Sequence, residues 1–128
     1  MTPVTDERPP PELAACVELF NRGEYHDAHE AFEELWLAGQ GPDSDLYKGL
    51  IQASICLHHF ADGNLAGAAS LYRGHRRYLA AFQDDGRGLD VARLLVDMQA
   101  FLRPVLRAAD GETVTFDAQR APRIHRTD

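Results

Sequence analysis

Nothing in this 128-residue chain approaches the roughly 18 consecutive apolar residues of a membrane-crossing helix. The opening "MTPVTDERPPPE" has no apolar signal-peptide core either, so a cytoplasmic protein without a membrane anchor is expected. Cysteine is scarce. Cys16 and Cys56 stand alone in apolar helical patterns, without CxxC spacing, and read as two small core residues in a reducing compartment. Positive charge is in the minority: a formal net charge of -7 argues against general nucleic-acid binding, which needs a net basic face. The basic cluster "RGHRRY", from Arg73 to Tyr78, reads as a solvated helix face. Phosphate-loop, dinucleotide-loop and GxSxG nucleophile motifs are missing, and strand-like alternation is almost absent.

What is present is helical periodicity from Pro11 to about Ala109, in a chain that is 45% apolar and 26% charged, the composition of one globular domain. "RPPPE" opens helix one, because proline suits a first turn and an acid favours the positive helix end. Leu13, Cys16, Val17 and Phe20 form its stripe, and "NRG" stops it. Helix two is expected over 24–38, with Tyr25, Ala28, Phe32, Leu35 and Trp36 on one face, before "GQGPDSD". Helix three, over 44–61, is apolar nearly all round and belongs in the middle of the domain. Helix four is expected over 64–82 and helix five from near Leu89, with Pro104 kinking or ending it. The chain thus divides into a flexible segment at 1–10, a helical bundle at 11–109 and an irregular tail at 110–128. Val114, Phe116 and Ile124 are the residues by which that tail would lie on the bundle.

Comparing residues forty positions apart exposes an internal repeat. Cys16, Phe20, Gly23 and Ala28 return as Cys56, Phe60, Gly63 and Ala68, while Tyr25 and Phe32 are answered by Leu65 and Tyr72. Each copy reads as a helical hairpin: an aromatic closes the first helix, glycine turns the chain, and alanine lets the second helix come close. The units look like tetratricopeptide hairpins, whose period is about 34 and which need about three copies to build a solenoid. Two copies and a fifth helix point instead to an all-α, single-domain closed bundle of about five helices.

The repeat also separates scaffold from added chemistry. His29, Glu30, Glu33 and Trp36 become Ala69, Ser70, Arg73 and Arg76 in the second copy, so the hairpin itself does not require them. His29 belongs to the apolar stripe with Glu33 one turn on, whereas His26 and Glu30 project further round. Helix three carries a narrow polar line of Lys48, Gln52 and His59. Since an unpaired buried polar group costs about 1–3 kcal/mol, the expectation is that His29 and Glu33 meet Gln52 and His59 across the bundle.

At these residues the chain resembles a known family. "FNRGEYHDAHEAFEELW" followed by "YKGLIQASICLHHFADGNLAGAASLY" is similar to the prokaryotic family catalogued as domain of unknown function 309, with its pattern FNxGxxxxAHExxExxW, GLIQ and GNxxGA. Here the pattern falls on Phe20, Asn21, Gly23, Ala28, His29, Glu30, Glu33 and Trp36, then Gly49 to Gln52, then Gly63, Asn64, Gly67 and Ala68. The resemblance spans roughly 11–105 and implies a small five-helix bundle, with no established activity attached.

Four readings of the polar residues follow. A satisfied structural network or a small-ligand site is favoured, with Glu33 holding His29 and Trp36 bonded at its indole nitrogen. A metal site would join His29 and Glu33, one helical turn apart, to His59, His26 or His75, a set suited to zinc or iron. A divalent metal is nevertheless not favoured, because "HEAFE" puts Glu33 where a zinc protease has its second histidine. A metal-free site would use His29 as a general base or bind a polar ligand beside Trp36, with no serine or cysteine placed as nucleophile. The last reading is a tetratricopeptide-like interaction module, and a leftover apolar face would be covered in a homodimer.

Overall fold

The computed structural model describes residues 11–39 and 41–127; the segment expected to be flexible at 1–10 lies outside the described residues. Among the described residues there are five α-helices: α1 (Pro11–Asn21), α2 (Tyr25–Ala38), α3 (Ser44–Ala61), α4 (Leu65–Leu79) and α5 (Val91–Arg107). They form the all-α bundle that the periodicity predicts, and none is long and apolar enough to cross a membrane.

Both hairpins are built by the same local chemistry. Gly23 and Gly63 adopt φ of +82° and +83°, the left-handed region that a side chain disfavours. That geometry lets the Gly23 N–H bond to Phe20 O and the Gly63 N–H to Phe60 O, each at 3.0 Å. The next residue in each copy reaches back as well, Glu24 to Leu19 O at 3.0 Å and Asn64 to His59 O at 2.8 Å, so carbonyls at both helix ends are satisfied. Ala28 and Ala68 are fully buried where the returning helices pass closest to the core.

The helix α3 is the centre of the bundle, with α2 and α4 packed along it. Its Leu46, Leu50, Ala53, Cys56 and Leu57 are wholly buried in one core with Phe20, Phe32, Leu79, Met98 and Leu102. The α3 and α4 backbones approach closely at Gly49, where a Cβ would fall 2.5 Å from Leu79 Cδ2. Cys16 and Cys56 are free, buried thiols, and burial pushes the Cys56 pKa up to about 12.

Three boundaries differ from the periodicity reading. The fourth helix ends at Leu79 and passes into a tighter 3-10 turn over Ala80–Phe82, which tucks Phe82 into the core. The fifth begins at Val91, capped by the Asp90 carboxylate that accepts the Arg93 N–H at 3.0 Å. Pro104 does not end it, because the helix runs on to Arg107. Pro104 and Ala100, whose carbonyl loses its partner, are both solvent-exposed, so the missing bond falls on the open side of the helix and not in the core.

The tail is irregular, as expected, but firmly docked. Phe116 packs edge-on against Tyr25, Phe60 and Phe101, with ring centroids 6.0, 5.2 and 5.3 Å away. Ile124 is buried, and the side-chain amide of Asn21 both donates to its carbonyl at 2.9 Å and accepts its N–H at 2.7 Å. His125 is half-buried, and its carbonyl accepts the Asp90 N–H at 2.7 Å.

Candidate functional site

The helices α2 and α3 run antiparallel, as shown by their two ends. At one, the His26 and His58 rings lie 5.7 Å apart; at the other, Trp36 Nε1 donates to Ser44 Oγ at 3.0 Å. This register brings His29 and Glu33 opposite the levels of Ile55 and Ile51, which are half-buried on α3. The indole bond is the one the network reading requires of Trp36, with Ser44 as its partner.

His29 Nε2 lies 3.4 Å from Glu33 Oε2, an i to i+4 pair within α2, with the two side chains 26% and 46% exposed. His26 and Glu30 pair in the same way at 2.6 Å and are more than 60% exposed. His58 pairs with Asp62 at 3.3 Å, again along its own helix. These partners are short-range and solvent-facing. Such pairs contribute about 0.2–0.5 kcal/mol apiece, too little to make them the reason for the fold.

Gln52 and His59 lie against α4, contrary to the expectation that they meet His29 and Glu33 across the bundle. A Cβ at Gly74 would fall 1.8 Å from Gln52 Oε1, and one at Gly67 would fall 3.0 Å from His59 Cδ2. The side chains of Gln52 and His59, seven residues apart, therefore lie on the bare backbone of two glycines that are also seven apart, in antiparallel register. His59 Nδ1 is also 3.3 Å from Asn64 Nδ2, while Asn64 Oδ1 caps α4 by accepting the Gly67 N–H at 3.0 Å. The matched heptad spacing was present in the sequence as the signal for this arrangement, at Gln52 and His59 on one side and Gly67 and Gly74 on the other.

Lys48 continues the α3 line and bridges both neighbours. Its Nζ lies 5.7 Å from the Trp36 ring centroid on α2 and 4.9 Å from that of Tyr78 on α4. No carboxylate lies within 4.0 Å of that ammonium among the described residues. The two aromatic faces hold the cation.

The metal candidates do not assemble. Among the described residues no group of three or more His, Cys, Asp or Glu side chains is arranged to hold a metal ion. His59 is turned to Asn64, and His75 is completely buried on α4, its Nδ1 hydrogen-bonded to the Tyr72 carbonyl and its Nε2 without a partner. Burial holds the His75 pKa down to about 4, with the neighbouring Arg76 charge acting in the same direction.

Residues 13–71 match the domain of unknown function DUF309, so the resemblance drawn from the sequence is shown over that segment. The chain is also 32% identical over 88 residues to an uncharacterised protein of Aquifex aeolicus (strain VF5). That alignment takes in 68% of this chain and spans 25% of the length of the Aquifex protein.

Proposed function

For a chain whose residues 13–71 match DUF309, a family of unknown function, we propose the role of a recognition module. Its docking surface is the open face made by α2, α3 and α4, and its ligand is an extended, acidic segment of a partner protein. One observation carries this reading: Trp36, Lys48, Gln52, His29 and His59 are strung along a half-exposed helical face instead of gathering round a cavity. From Lys48 to His59 that face runs about 17 Å, at about 1.5 Å per helical residue, enough for roughly five extended residues of a bound peptide. The Lys48 ammonium provides the attraction for an acidic side chain, with Trp36 and Tyr78 as the apolar contact beside it.

Trp36 is the single tryptophan, so its fluorescence reports occupancy of the face directly. Titration with an array of acidic hexapeptides is expected to shift Trp36 emission, and Lys48→Gln to weaken the best binder about tenfold. If no peptide binds wild type more tightly than the Lys48→Gln variant, the recognition reading is wrong.

A further inference from the structure

A cavity lies where the docked tail crosses α5. The cavity there has a volume of about 610 Å³, inside the roughly 300–1,000 Å³ range of small-molecule sites. A wider cleft of about 1510 Å³ between α1 and the tail exceeds that range. The smaller cavity has an apolar lining that includes Phe60, Phe101, Pro104 and Val114. Arg120 and Arg123 also line it, both from the tail of a protein whose formal net charge is -7.

Each acid that lines the cavity has a partner close by in the chain. Asp97 pairs with Arg93 at 3.6 Å, and Asp117 Oδ1 accepts the Gln119 N–H at 3.1 Å. Arg120 and Arg123 have no carboxylate within 4.0 Å among the described residues. The segment carrying them is tied down on both flanks. Phe116 stacks into the core on one side; on the other, Asn21 holds Ile124 and the Thr127 N–H bonds Gly88 O at 3.1 Å. The backbone that carries the two arginines is thus held beside Phe60 and Phe101 before any ligand arrives, so binding has only their exposed side chains left to order.

We propose that this cavity binds a small amphipathic anion, a phosphate or carboxylate head on an apolar body the size of one ring. Arg120 and Arg123 take the oxyanion, while Phe60, Phe101 and Pro104 receive the body. This site is separate from the α2, α3 and α4 face and stands whether or not that face docks a peptide.

Isothermal titration of the full chain with phenyl phosphate, benzoate and inorganic phosphate tests it. At least one aromatic anion is expected to bind roughly tenfold more tightly than inorganic phosphate, and the tighter of the two identifies the head group. Arg120→Gln combined with Arg123→Gln should remove at least about tenfold of that affinity. Arg77→Gln, an exposed change on α4, should leave it intact. In the wild-type protein the amide resonances of Val114 and Thr115 should move on titration, a readout that needs no variant to fold. Equal affinity for all three anions, no binding of either aromatic anion, or indifference to the double substitution would each overturn the proposal.

Discussion

The hairpins α1 to α2 and α3 to α4 make the same turn and then present different surfaces. At the turn they agree in detail: φ of +82° and +83°, the same reverse bonds from glycine to phenylalanine, and an alanine buried five residues later. Beyond the turn they diverge. The first returning helix carries half-buried His29 and Glu33 where the second has Ala69 and Arg73, and a half-buried Leu35 where the second buries His75. A tight turn is constrained by a few consecutive residues, whereas a helix surface answers to whatever packs on it, so duplication preserves the first more readily than the second.

The largest test of this comparison is in the phenylalanines that close the two leading helices. Phe60→Ala and Phe20→Ala should each lose about 3–5 kcal/mol in urea unfolding. The greater loss is expected at Phe60, which stacks on both Phe101 and Phe116, while Phe20 meets Tyr25 alone among the aromatics. A greater loss at Phe20 would mean that the second hairpin does not hold the tail and α5 together.

His75 provides the next, through pH. Its folded-state pKa of about 4 lies below the ordinary 6.5 of the unfolded chain, so on acidification the unfolded state takes up the proton first. The stability tied to this group is complete above pH 6.5, declines between pH 6.5 and about 4, and is lost below that. The full span amounts to about 3 kcal/mol. Replacing it by the residue of the first copy, His75→Leu, should flatten the unfolding free energy across that window; an unchanged slope would mean that other groups govern the acid response.

Asn21 marks a difference of intermediate size. The second copy has Ala61 at this position, and Asn21→Ala makes the first copy match it while removing both bonds to Ile124. A loss of about 2 kcal/mol is expected, together with faster tryptic cleavage at Arg120 and Arg123 as the tail lifts. Retention of the wild-type cleavage rate would show that Phe116 and the backbone bonds of His125 and Thr127 secure the tail without Asn21.

The smallest effect should be the most symmetrical. No atom lies within 4 Å of a Cβ built at Gly23 or Gly63, so alanine at either position costs only backbone strain, about 1 kcal/mol. The two thermal shifts should agree. A clear inequality would break the equivalence of the turns.

Much of the fold was legible in one dimension. Period-3.6 patterns placed all five helices, and the forty-residue offset exposed the hairpins because their turns depend on Gly23 and Gly63 themselves. The indole bond of Trp36 was anticipated as well. The candidate site was less legible. Reading Gln52 and His59 as partners of His29 and Glu33 treated the polar line of α3 as if only α2 were available to receive it. The run past Pro104 escaped because the bond it removes falls on the solvent-exposed side of α5, at Ala100, where the loss costs little.

By itself, then, the sequence determined what short-range chemistry controls: where helices begin and turn, which stripe each buries, and which residues the first hairpin adds to the shared scaffold. Only the tertiary structure decided which neighbour each stripe meets. A helical wheel defines a face but not the helix that covers it, and that choice rests on how closely two backbones approach. Here Gly67 and Gly74, distant in the chain from Gln52 and His59, open the α4 surface to them and leave His29 and Glu33 on the open face of α2.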